Sequence, residues 1–100
     1  MMDTVRRLVD AIQALCNPCG IVLYGAKQDL LEEGPREVNL CVIVKAEPKE
    51  TERMLYRMLD ADLVFNLLLY QEEDWNRLIA DPTSYAAGIR QKGVLLHGKA

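Results

Sequence analysis

The segment IVLYGAK, residues 21–27, decides the fold because it joins a buried strand to a tight glycine turn. The run from Ile21 to Tyr24 is wholly apolar, which is typical of a short central strand that is covered on both faces. Gly25 follows at once, and glycine adopts the backbone angles of a sharp turn at little steric cost. We therefore expect a central strand that ends at a turn formed by Gly25 and Ala26.

Two further strands are predicted downstream, EVNLCVIV at residues 37–44 and DLVFNLLLY at residues 62–70. In the first of these, successive side chains point to opposite faces, so Asn39, Cys41 and Ile43 share one face of the sheet. A short apolar tail at residues 94–96 follows Gly93 near the end of the sequence.

Helices are predicted between the strands from the spacing of apolar residues. The first runs from a cap at Asp3 or Thr4 to Asn17, and the others cover about residues 48–59, 72–80 and 83–91. Residues 28–34 form either a short helix or an ordered loop. This order predicts an α/β (α+β) fold, a single two-layer domain over residues 1–100 with a short mixed central sheet flanked by helices.

The composition excludes some classes of function. The net charge is −3 and the isoelectric point about 5.1, whereas nonspecific nucleic-acid binding needs dense positive charge. No apolar run approaches the roughly 20 residues that cross a bilayer, and the stretch MMDTVRRLVD lacks the apolar core of a signal peptide. We therefore expect a cytoplasmic protein with no membrane segment and no strong binding of nucleic acid.

The predicted order of elements resembles the minimal nucleotidyltransferases of the DNA polymerase β-like superfamily. In that family a Gly-Ser turn ends the first strand, a D-x-D pair lies on the second strand, and a third Asp lies on the next. The stretches NLLLYQEEDWNRL at residues 66–78 and IRQKGVLLHG at residues 89–98 also resemble the family, so the similarity covers nearly the whole chain. The matching positions here are Gly25-Ala26, Asn39-x-Cys41 and Asn66.

The resemblance implies a site from which the catalytic carboxylates have been lost. In the family these carboxylates hold the Mg²⁺ that neutralises a nucleoside triphosphate and aligns the attacking hydroxyl. Asn carries no charge, and Cys is a soft ligand that suits Mg²⁺ poorly. We therefore expect a vestigial pocket without metal or cofactor, formed by Gly25, Ala26, Asn39, Cys41 and Asn66, in which Gly25 and Lys27 retain weak contacts with a nucleotide.

Three functions remain open on the sequence. The first is a catalytically inactive nucleotidyltransferase-like domain that binds a nucleotide or a protein; the resemblance implies a helical protein partner, and a homodimer is the other candidate. The second is an active nucleotidyltransferase that uses Mg²⁺ and carboxylates recruited from Asp29, Glu37 or Asp62 to move a nucleotidyl group to a protein or small-molecule hydroxyl. The third is an α/β adaptor with no relation to nucleotides.

The cysteines suggest no further chemistry. Cys16 and Cys19 form a C-x-x-C motif, but it follows a helix, whereas a redox motif of this kind precedes one. A zinc site would have to join this pair to Cys41 and His97. An odd number of cysteines implies no disulfide framework, and we expect free thiols in a loop and in the core.

Overall fold

The computed structural model describes residues 2–25 and 37–100. The described helices are α1 (Met2–Cys16), α2 (Pro48–Met58), α3 (Glu72–Ile79) and α4 (Tyr85–Lys92), and the described strands are β1 (Gly20–Tyr24), β2 (Glu37–Val44), β3 (Val64–Gln71) and β4 (Val94–Gly98). Ala26, Lys27 and the predicted helix or loop at residues 28–34 lie outside the described residues.

The described strands form one mixed sheet in the order β3-β2-β1-β4. β1 is antiparallel to both β2 and β4, whereas β2 and β3 are parallel and are connected through α2. We call the side at which β2 and β3 begin the amino end of the sheet, and the side at which they finish the carboxyl end. Because β1 runs the opposite way, it starts at the carboxyl end and reaches Gly25 at the amino end.

One face of the sheet packs against α1 and α2. The buried residues of this first core are Val5, Leu8, Val9, Ile12, Ile21, Leu23, Val38, Leu40, Val42, Val44, Leu55 and Leu67. The α1 members recur at helical spacing, so that one stripe of the helix is apolar and lies on the sheet.

The other face packs against α3 and α4 in a second, smaller core. Its buried residues are Val22, Cys41, Ile43, Trp75, Ala86 and Ile89. Trp75 is the largest of them, and its ring lies 5.3 Å from that of Tyr70 on β3. β2 is therefore covered on both of its faces.

The predicted α/β class, with a mixed central sheet flanked by helices, is confirmed. Helices pack against each face of the sheet. Both faces are apolar because successive residues of β2 point to opposite sides and most of them are apolar. None of the helices within the described ranges is long and apolar enough to cross a membrane.

The last helix begins later than the sequence predicts, at Tyr85 rather than Thr83. The preceding residues form a turn in which Asp81 Oδ1 accepts a hydrogen bond from the Thr83 backbone N–H at 2.9 Å. Ser84 then caps the helix, because its Oγ accepts from the Ala87 N–H at 3.0 Å. The side chains that favour the turn therefore delay the start of the helix.

The outer side of β3 is covered in part by α2. The backbone N–H of Leu67 donates to the Tyr56 hydroxyl oxygen at 2.8 Å. The Tyr56 ring also stacks on Phe65 with 5.7 Å between ring centroids and 11° between the ring planes. Alternate N–H groups of a strand point to opposite sides, so this bond occupies a backbone group on the side away from β2.

Pairing between β4 and β1 depends on Gly98. Its φ is +68°, a left-handed value that residues with a Cβ adopt at a cost. A Cβ at this position would also collide with the carbonyl oxygen of Cys19. Gly88 is different, because it lies within α4 and a Cβ there would meet no atom within 4 Å.

The same substitution is therefore expected to have opposite effects at these two glycines. Gly98→Ala should lower the free energy of unfolding by about 2 kcal/mol or more, since it combines backbone strain with a steric clash. Gly88→Ala should raise it by about 0.5–1 kcal/mol, because alanine is the better helix former. Urea unfolding followed by circular dichroism measures both, and a neutral Gly98→Ala variant would show that β4 does not pair with β1 in this way.

Candidate functional site

The turn after β1 is shaped by Gly25. Its φ is +62°, and a Cβ here would lie 2.9 Å from Nδ2 of Asn39. Both the backbone conformation and the space therefore favour glycine. Gly25 thus lies directly against Asn39 at the amino end of the sheet.

Asn39 and Asn66 lie opposite each other in the register of β2 and β3. The Asn66 Nδ2 donates to Oδ1 of Asn39 at 3.0 Å and to Oε2 of Glu37 at 2.6 Å. The amide of Asn66 therefore bridges a carboxylate and a second amide on the neighbouring strand. We call Glu37, Asn39 and Asn66 the polar cluster; these hydrogen bonds lie at the protein surface.

Cys41 shares the face of Asn39 but not its surroundings. It has 0% exposure and belongs to the second core, beneath α3 and α4. Burial raises the pKa of the Cys41 thiol to about 12, so the sulfur is protonated at neutral pH. The sequence placed Cys41 in a vestigial pocket; the structure places it in the core, where it does not line the exposed cluster.

The recruited carboxylates proposed from the sequence fall in different places. Glu37 belongs to the polar cluster, whereas Asp62 precedes β3, which starts at Val64 rather than at Asp62 as predicted. Pairing sets Val64 opposite Glu37, so Asp62 lies beyond the paired residues. Asp29 lies outside the described residues.

The sequence predicts Glu37 only as a recruited carboxylate of an active enzyme, although its position on β2 gives a clearer signal. It precedes Asn39 by two residues, so both side chains project from the same face of β2. This i, i+2 spacing equals that of the family's D-x-D pair, displaced by two residues toward the start of the strand. The spacing therefore predicts that Glu37 lies on the face of the expected pair, and Glu37 is the carboxylate that contacts Asn66.

Tyr24, which lies beside the cluster, and its neighbour Tyr85 were not predicted as site residues. Tyr24 is the register partner of Asn39, and its ring meets that of Tyr85 edge to face with 6.3 Å between centroids. Burial, followed by the neighbouring Tyr85, raises the pKa of Tyr24 to about 12, so its hydroxyl stays protonated. Tyr85 itself is 66% exposed, so the ring that contacts Tyr24 presents an open aromatic surface.

The cluster offers hydrogen-bonding groups and one carboxylate. Among residues 2–25 and 37–100, no three His, Cys, Asp or Glu side chains gather closely enough to hold a metal ion. Cys16 and Cys19 are free thiols in the described structure, and burial raises the pKa of both. The polar cluster therefore presents amide and carboxylate groups at the surface that are hydrogen-bonded to one another.

Comparisons with known proteins returned no relative. No family model matches the chain, and neither the curated proteins nor the solved structures contain a match. The resemblance to nucleotidyltransferases therefore rests on the residues of this chain and their arrangement.

The contact between Glu37 and Asn66 predicts a pH-dependent effect of Asn66→Asp. The new carboxylate would lie beside that of Glu37, and like charges raise the pKa of the pair in the folded state above the unfolded value of roughly 4. The variant should be less stable than wild type by about 0.5–1 kcal/mol at pH 7, the scale of exposed charge pairs. The difference should vanish as the pH falls below about 4, where both acids are protonated.

Urea unfolding of both proteins between pH 7 and pH 3.5 measures this difference. The double variant Glu37→Gln/Asn66→Asp is the matched control, since it removes the second carboxylate and should remove the pH dependence. A stability difference that stays constant over the whole range would show that Glu37 is not beside residue 66.

Proposed function

We propose that this chain is a catalytically inactive nucleotidyltransferase-like domain that binds a nucleotide at the polar cluster. One observation carries the proposal: Asn39 and Asn66 are hydrogen-bonded register partners that lie beside the left-handed Gly25. These are the positions at which the resemblance expects carboxylates on adjacent strands next to a glycine turn. A cytoplasmic location, where nucleotides are abundant, belongs to the same proposal.

The chemistry of the cluster favours binding without a metal. Amide groups donate hydrogen bonds to phosphate oxygens and do not repel them, whereas a set of carboxylates needs a cation before a phosphate can approach. The exposed ring of Tyr85 offers a surface on which a base can stack. Glu37 is the one carboxylate in the cluster, and it is engaged by Asn66.

The same features argue against two-metal catalysis. Such a mechanism aligns two cations between carboxylates, and the cluster offers Glu37 beside two neutral amides. Cys41 is a buried, protonated thiol and so supplies no charge to the site. Loss of transfer chemistry with retention of ligand binding is the function that these residues fit best.

Calorimetric titration with ATP, GTP and CTP, each with and without Mg²⁺, tests the proposal. We expect weak binding of at least one nucleotide that does not depend on Mg²⁺, because the contacts are amides. Asn66→Leu should abolish the binding, whereas Gln91→Leu, which removes an exposed amide from α4, should leave it unchanged. Absence of binding for all three nucleotides would contradict the proposal and favour an α/β adaptor with no relation to nucleotides.

An active enzyme is the second candidate, and the contact between Glu37 and Asn66 is the observation that favours it. In this case Glu37 would act as a recruited carboxylate for Mg²⁺ beside the amide oxygen of Asn39. Incubation of the protein with labelled triphosphates, Mg²⁺ or Mn²⁺, and a cell lysate should label nothing above background if our leading proposal is right. Transfer that disappears in Glu37→Gln but persists in Glu47→Gln, the helix cap of α2, would establish the enzyme instead.

Binding of a protein is part of the same proposal. The candidates are a helical partner, as the resemblance implies, and a second copy of this chain. Tyr56, Met58 and Val64 are large exposed apolar side chains on α2 and β3 that suit such a contact. Sedimentation velocity at several concentrations separates self-association from binding to a partner.

A further inference from the structure

β4 is an outer strand of the sheet, and among the described strands it pairs with β1 alone. Alternate backbone groups of a strand point to opposite sides, so a part of those of β4 faces away from β1. On the opposite edge, the Tyr56 hydroxyl occupies a backbone group of β3. Within residues 2–25 and 37–100, no side chain forms such a bond with the backbone of residues 94–98. The outer side of β4 is therefore open to a further strand.

Two large apolar side chains of β4 are exposed, one on each face of the sheet. Val94 is 53% exposed and lies opposite Leu23, which belongs to the first core. Leu95 is 50% exposed and lies opposite Val22, which belongs to the second core. The register shifts only after Leu95, so both residues lie in the regular part of the pairing. A strand added here would extend both cores, with its own apolar side chains beside Val94 and Leu95.

Positive charge flanks this edge, although the chain as a whole has a net charge of −3. After Asp81 the sequence contains no further Asp or Glu, and its Lys and Arg residues are Arg90, Lys92 and Lys99. Lys92 precedes β4 and Lys99 follows it, and both side chains are exposed. A cation therefore lies at each end of the strand.

The elements packed beside β4 do not cancel this charge. β1 contains no acidic residue, and α4 contains basic residues but no acidic one. On α1, which packs against the face that Val94 shares, Asp3 and Asp10 are balanced by Arg6 and Arg7. The surroundings of β4 therefore favour an acidic partner, because complementary charge steers and orients association.

The same charges disfavour a second copy of this chain at this edge. In an antiparallel pair of β4 strands, the start of one strand lies beside the end of the other. Lys92 of one copy would then approach Lys99 of the other at both ends of the pair, and like charges repel each other. An extended segment with acidic ends has the opposite charge at both places.

We propose that the outer side of β4 binds an extended segment of a partner protein, which joins the described sheet as a fifth strand. Its backbone pairs with that of β4, its central apolar side chains pack beside Val94 and Leu95, and its acidic ends face Lys92 and Lys99. The contact includes no residue of the polar cluster. It also lies on the edge of the sheet away from the exposed apolar side chains of α2 and β3.

Fluorescence anisotropy with three labelled peptides of equal length tests the proposal. The first alternates valine and leucine at its centre and carries two acidic residues at each end. The second has lysine in place of the acidic residues, and the third is the acidic peptide with a central proline, which disfavours pairing in a sheet. We expect saturable binding of the acidic peptide and binding weaker by about tenfold or more for the other two.

Variants of the edge provide matched controls. Leu95→Glu should abolish binding, because a carboxylate replaces an apolar contact and repels the peptide. Leu95→Lys removes the same apolar contact but attracts the acidic ends, so it should weaken binding less. Lys92→Gln and Lys99→Gln should each weaken binding by about twofold to fivefold, the scale of an exposed ion pair. Lys49→Gln, which changes an exposed lysine on α2, should leave binding unchanged.

Amide hydrogen exchange locates the contact independently of any variant. Exchange in residues 94–98 should slow when the acidic peptide is added, whereas exchange in residues 64–71 of β3 should not change. Slower exchange in β3 alone, equal binding of the acidic and lysine peptides, or no saturable binding would each overturn the proposal. A dimer that forms without peptide and dissociates in Leu95→Glu, measured by sedimentation velocity, would assign the edge to a second copy instead.

Discussion

The antiparallel ladder between β1 and β2 is the constraint on which the rest of the structure depends. Its register sets Tyr24 opposite Asn39 at one end of the sheet and Gly20 opposite Ile43 at the other. A slip of one residue would exchange the faces of every side chain on β2 and bring Asn39 beneath the helices of the first core. The polar cluster therefore inherits its geometry from this pairing.

The two ends of the sheet differ in how their polar groups are satisfied. At the amino end, the amides of Asn39 and Asn66 are hydrogen-bonded to each other at the surface. At the carboxyl end, the buried indole N–H of Trp75 has no hydrogen-bond partner among the described residues. An unpaired donor in the interior destabilises the folded state, whereas the surface amides satisfy each other.

The order of strands and helices along the chain was enough to predict the α/β class. The alternation of side chains along β2 was enough to predict that Asn39 and Cys41 share a face. It could not predict that α3 and α4 cover Cys41 while Asn39 stays near the surface, because burial depends on where the helices stop along the strand. Local pattern also could not predict that the N–H of Trp75 would be buried without an acceptor among the described residues, because its surroundings come from elements far apart in sequence.

The hydroxyl of Tyr56 has a consequence for the solution behaviour of the protein. An outer strand with free backbone groups is a template on which a second chain can add, and such growth leads to aggregation. By occupying the Leu67 N–H, Tyr56 interrupts that template near the middle of β3. The Tyr56 hydroxyl therefore opposes aggregation through β3, because any chain that adds to this strand must first displace it.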